Sequence, residues 1–158
     1  PAASDLRMIM AISKTVTDLE RIGDEAEKIA RMSVRIHEHD RLNIQRFGEI
    51  RHVGNIAVQM LRQALDAFAR LDAEQAVRVV GEDAAIDDEF GAIVRQLVTF
   101  MMEDPRTIST ALEILWIAKA IERIGDHAKN VAENVIYIVK GTDVRHTRFE
   151  DLEREAKS

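Results

Sequence analysis

The pentapeptide Glu20-Arg21-Ile22-Gly23-Asp24 returns unchanged as Glu122-Arg123-Ile124-Gly125-Asp126. Around the first copy, Met8, Ile12, Val16, Leu19, Ile22, Ala26 and Ile29 recur every three or four positions, the period of an amphipathic helix. On a helix, the Glu and Asp of each copy share a face, where like charges four apart repel by roughly a few tenths of a kcal/mol. Each copy also carries a mid-helix glycine, which costs about 1 kcal/mol relative to alanine. The same two local costs, taken twice, point to a gain at the tertiary level. A bound cation is the leading candidate.

Outward from these helices, the 158 residues suit one domain or one repeat array. The chain is 46% hydrophobic and 32% charged, with Gly 7, Pro 2 and few aromatics, a balance that reads as long helices around a core. The net charge of −6 argues against nucleic-acid binding through phosphate contacts. With Cys 0, disulfides and thiolate metal sites are excluded. No apolar run approaches the roughly 20 residues that span a bilayer.

Four helices are expected, over residues 4–38, 48–70, 73–102 and 105–140, in an all-α antiparallel up-down bundle. Residues 37–45 read as a polar loop. In the second helix, Ile50, Val53, Ala57, Met60, Leu61, Ala64 and Phe68 point inward. Asp72 is an N-cap with Gln75 as its capping-box partner, Asp104 and Pro105 open the fourth helix, and Gly141 closes it. Residues 142–158 form a charged tail with the composition of a short helix. The second pentapeptide ends a complete three-helix unit over 46–141. The first, with its linker over 1–45, has only a last helix, so two helices are expected upstream.

The carboxylates fall at the edges of the apolar stripes: Glu20 and Asp24 on the first helix, Glu122 and Asp126 on the fourth. Gly23 and Gly125 lie between carboxylates and stripe centre, where a missing Cβ admits a close neighbour. Glu133 shares the face of Glu122 and Asp126, whereas Arg31 stands at its counterpart. On the third helix, Val80, Ala84, Phe90, Val94, Leu97, Val98 and Met101 define an apolar face, and Asp83 and Asp87 fall inside it. An inward carboxylate pair is costly unless paired or metal-bound. Asp83, Asp87, Glu122 and Asp126 are therefore expected to converge into an all-oxygen site. Hard oxygen ligands suit a divalent or ferric ion of the Mg, Ca, Mn or Fe kind. The plainer alternative is neutralisation by Arg21, Arg123, Lys28 and Lys129 as ion pairs.

His37, His39, His52 and His146 read as surface histidines, and His127 points away from Asp126. Trp116 and Tyr137 are packing or interface residues, and the methionines are core. No glycine-rich phosphate loop or nucleophile motif is present.

The segments Asp18-Leu19-Glu20-Arg21-Ile22-Gly23-Asp24 and Ile121-Glu122-Arg123-Ile124-Gly125-Asp126-His127-Ala128-Lys129-Asn130-Val131-Ala132-Glu133 resemble the signature helices of the PhoU family. Pro1-Ala2-Ala3-Ser4-Asp5-Leu6-Arg7 resembles the start of that family's third helix, and Asp143-Val144-Arg145-His146 its C-terminal end. The resemblance covers nearly the whole chain and implies two three-helix repeats, the first represented by its last helix. It implies a cytoplasmic, non-enzymatic negative regulator of phosphate uptake and phosphate-starvation signalling. The implied partners are the phosphate ABC transporter ATPase, a phosphate-sensing histidine kinase and a second copy in a homodimer. It also implies acidic metal sites for Fe, Mg, Mn, Ca or Zn, carried onto Glu20, Asp24, Glu122 and Asp126, with Asp83 and Asp87 matching the acidic pair of the preceding helix. Lys28 and Arg31 stand where the second copy has Asn130 and Glu133, so the two copies are chemically unequal.

An adaptor without functional metal is one competing reading. A carboxylate-bridged di-iron bundle enzyme is another, but it needs two Glu-x-x-His motifs. Here only Glu49-Ile50-Arg51-His52 fits.

Overall fold

A computed structural model describes residues 2–39, 48–141 and 149–158, and the chain within them is helical. Five helices follow one another: α1 (Ala2–His39), α2 (Gly48–Arg70), α3 (Ala73–Glu103), α4 (Ile108–Lys140) and α5 (Phe149–Lys157). The expected bundle and its boundaries are borne out within one or two residues for α1 to α3. Residues 40–45 of the expected loop, Pro1 and the segment 142–148 lie outside the described residues.

The local signals act as their chemistry requires. Asp72 accepts a hydrogen bond from the Gln75 amide at 3.0 Å and starts α3. The capping box is only half made, because the Gln75 side chain instead accepts from Arg70. Gly141 closes α4 in the left-handed region, at φ 72°. Pro105 behaves differently from expectation. Pro105–Thr107 form a separate 3₁₀ turn, tied by the Thr107 amide to the Asp104 carbonyl, and α4 begins only at Ile108. The charged tail does close into a helix, with Leu152 buried and the Phe149 ring lying against Gly81.

The central element is α4, which packs against α1, α2 and α3. Val53, Ala57, Met60 and Ala64 of α2, Val79, Ile86, Ile93 and Leu97 of α3, and Ile121, Ala128, Val131 and Val135 of α4 share one core. The buried face of α3 is rotated from the expected one. Ala84 and Val98 are exposed, and Ile86 and Ile93 take the inward positions. The methionines also divide, since Met60 is buried and Met102 is 80% exposed.

The α1 face is the larger correction. Its apolar stripe faces the bundle only in part: Ile12, Val16 and Leu19 are 43%, 49% and 37% exposed, while Ile22 is buried and Ile29 packs against the core. Besides Ile22 and, near the end of the helix, Ile36, the buried positions are Ala11, Thr15, Asp18 and Glu25, which with Ile22 make a mostly small and polar stripe at the same spacing of four and three. The reason lies across the interface, where α4 presents His127, Asn130 and Asn134. Asn130 donates to Asp18 Oδ1 at 3.2 Å and Asn134 to Thr15 Oγ1 at 3.1 Å. Buried polar groups demand partners, and only the polar face of α1 supplies them.

Candidate metal centre

The acidic site is built where α3 crosses α4. Gly125 sets the distance: a Cβ there would lie 2.7 Å from Ile86 Cδ1, so only a glycine lets α3 approach this closely. Beside that contact, Asp83, three residues before Ile86, and Asp87, the residue after it, meet Asp126, the residue after Gly125. One carboxylate oxygen of each lies within 4.8 Å of those of the other two. Glu122, one turn before Asp126, stands beside them, and its Oε2 accepts from Lys119 Nζ at 2.7 Å.

Asp83 is buried, as the sequence suggested. Asp87 is not inside the apolar face but on its exposed margin, because the face is rotated. Asp83 Oδ2 lies 3.5 Å from Lys129 Nζ, while Asp83 Oδ1 is buried without a hydrogen-bond partner. An orphaned carboxylate oxygen in such a place is costly.

The crowding shows in the proton affinities. Burial raises the Asp126 carboxyl to about 6, and the charges of Glu122, Asp83 and Asp87 push it the same way. Asp87 is also raised, first by burial and then by Asp83 and Glu122, against the opposing charge of Lys129. Four neighbouring carboxylates, two of them with raised proton affinity, together with one orphaned oxygen and no thiolate, form a set that fits a hard cation.

The other expected ligands are elsewhere. Glu20 and Asp24 are exposed on α1 and join no ligating group among the described residues. Gly23, unlike Gly125, has nothing within 4 Å of where a Cβ would stand. Among the described residues, no helix packs on the twin motif of α1 as α3 packs on that of α4. Glu133 is buried but lines a cleft between α4 and α1, together with Asp18, Asn134 and Tyr137, rather than the acidic group. His127 turns away from Asp126, as expected, and its Nδ1 lies 3.0 Å from Asp18 Oδ1. His52 is a surface group, 3.8 Å from Glu89. The side chain of His39 and all of His146 lie outside the described residues.

Two groups escaped the sequence reading. Asp18 and Glu25 are buried in the α1–α4 seam, Asp18 against His127 and Asn130, and Glu25 between Lys28 and Arg123 at 3.3 Å and 3.8 Å. The available signal was the 4-3-4-3 run Ala11, Thr15, Asp18, Ile22, Glu25, which a purely apolar search passes over.

A family model for the PhoU domain matches residues 1–33 and 50–135, which include both copies of the motif and all four carboxylates of the site. The chain belongs to the PhoU family. It is 51% identical over its full length to the phosphate-specific transport system accessory protein PhoU homolog of Pseudomonas aeruginosa, spanning 65% of that protein. It is 47% identical over 156 residues to the Escherichia coli accessory protein PhoU, covering 98% of this chain and 63% of that one. The crystal structure of PhoU from Pseudomonas aeruginosa superposes with a TM-score of 0.84 at 52% identity, covering 90% of this chain and 68% of that one. The Streptococcus pneumoniae phosphate transport system regulatory protein PhoU superposes at 0.80 and 28% identity, covering 89% of this chain and 66% of that one. The chain thus spans a little under two thirds of the length of these accessory proteins. Among the described residues, no helix is long and apolar enough to cross a membrane.

Proposed function

We propose that this chain acts in the phosphate-specific transport system as a negative regulator of phosphate uptake and phosphate-starvation signalling. It works in the cytoplasm as a helical adaptor, docking on the transporter ATPase and on the phosphate-sensing histidine kinase. Its acidic site on α3 and α4 holds a divalent or ferric ion through Asp83, Asp87 and Asp126, with Glu122 alongside. The observation that carries the metal part is the buried, orphaned Oδ1 of Asp83 inside a group of three convergent carboxylates. The regulatory part is supported by 51% identity over the whole chain to an accessory protein of phosphate transport.

The test of the adaptor is retention of the purified ATPase and the purified kinase on the immobilised chain at high and low phosphate. Retention of both, stronger at high phosphate, is expected; retention of neither sinks the adaptor. For the metal, elemental analysis of protein purified without chelator is expected to find a bound ion that the Asp83→Asn variant loses.

A further inference from the structure

The acidic site already meets cations of the protein's own. Lys119 lies 2.7 Å from Glu122 and also over the Phe90 ring, 5.4 Å from its centroid, so two contacts hold it. Lys129 is held differently. It reaches from α4 to α3, where its Nζ stands 3.5 Å from Asp83 Oδ2. That is long for a charge-assisted hydrogen bond, whose distance is about 2.7–2.9 Å. The Lys129 side chain keeps 34% of its exposure and has an open path to water, whereas that of Asp83 keeps 11%. Lys129 also acts on Asp87, where its charge opposes the effects of burial, Asp83 and Glu122. One ammonium thus stands against both α3 carboxylates, loosely held, and leaves Asp83 Oδ1 unserved.

A multivalent ion would contact these oxygens at about 2.0–2.6 Å, with the shorter end for Mg and the longer for Ca. An ammonium and such an ion cannot share Asp83 without strong repulsion. We propose that Lys129 is the resident counter-ion of the acidic site, displaced into solvent when a divalent cation enters, so that it sets the affinity of the site without being a ligand. This rests on the metal reading above. It makes Lys129, and not only the carboxylates, a determinant of the ion concentration at which the site fills. Lys119 stays in place, because Glu122 and Phe90 hold it together.

The experiment titrates Mn²⁺ by calorimetry into the parent chain, Lys129→Met and Lys129→Arg at one ionic strength. Lys129→Met is expected to bind about fivefold tighter with unchanged stoichiometry, the scale of the net worth of a partly exposed ion pair. Lys129→Arg, which keeps the charge, is expected to stay near the parent. If Lys129→Met binds equally or more weakly while the parent binds well, the counter-ion is overturned and the metal site stands. If neither chain binds Mn²⁺ saturably, the metal reading falls and this inference with it. A second measurement needs no variant. The Nζ resonance of Lys129 is expected to move to the position of a free lysine as Mg²⁺ saturates the site, and a resonance that stays in place overturns displacement.

Discussion

Gly125 on α4 and Ile86 on α3 touch where no side chain but hydrogen would fit, with Ile86 Cδ1 2.7 Å from the position a Cβ would take. Ile86 is fully buried, so its side chain has little room to yield. The contact draws the two acidic helices together, and Asp83, Asp87 and Asp126 converge beside it.

The twin glycines should therefore respond to alanine with opposite signs. Gly125→Ala is expected to cost about 1–3 kcal/mol through overpacking, partly offset by helix propensity. Gly23→Ala meets nothing within 4 Å and is expected to gain about 0.5–1 kcal/mol from lower chain entropy. Urea denaturation of the two variants checks both, and adding Ile86→Val is expected to return part of what Gly125→Ala loses. Equal effects at the two sites would show that α3 does not crowd Gly125.

The charge of Asp126 gives a pH signature. Its folded-state pKa is raised to about 6, from an unfolded value near 3.8. Its favourable contribution is fully present below about pH 4 and is lost as pH rises through about 6. Asp126→Asn removes that loss. In ion-free buffer the melting temperature of Asp126→Asn relative to the parent is expected to climb between pH 4 and pH 7, then level off. A difference that stays flat across this range would falsify the strained carboxylate.

Ion binding separates the two copies of the motif. Asp83→Asn or Asp126→Asn is expected to weaken Mn²⁺ binding at least about tenfold, on the scale of losing groups that hold a metal. The pair Glu20→Gln and Asp24→Asn is expected to leave binding unchanged, because both side chains are exposed and neither joins the convergent group. Calorimetry on the metal-free chain reads both results.

The α1–α4 seam makes a fourth expectation. Asp18 Oδ1 serves His127 Nδ1 at 3.0 Å and Asn130 Nδ2 at 3.2 Å. Asp18→Ala strips a partner from two half-buried groups and is expected to cost about 1–3 kcal/mol. Leu19→Ala, one position on and in the exposed stripe, is expected to cost under about 0.5 kcal/mol. Chemical denaturation monitored by circular dichroism compares them; a larger loss for Leu19→Ala would mean that the apolar stripe, not the polar one, holds α1.

Much of this molecule was legible before any coordinates. Periodicity set α1 to α4, and the chemistry of Asp72 and Gly141 set two of their ends, because those signals are local and act through the backbone of a few neighbours. The repeated pentapeptide marked the site, and its match to the signature helices of PhoU marked the family. The approach of Asp83 and Asp87 to Asp126 was foreseeable in outline, since adjacent helices across a short turn must pack together.

What tertiary structure decided was which face of each helix turns inward, and with it the fate of each carboxylate. Periodicity shows that α1 has an apolar stripe and a polar stripe, but not which one a partner will claim. His127, Asn130 and Asn134 on α4 selected Thr15 and Asp18, because a buried polar surface must be answered by hydrogen bonds. The same kind of rotation carried Asp87 to the margin of α3 while Asp83 stayed inside. Two identical pentapeptides thus had different outcomes. At Gly125 a neighbouring helix fills the missing Cβ and brings its carboxylates with it; at Gly23, among the described residues, nothing does. A sequence can repeat a half-site, but only packing supplies the other half.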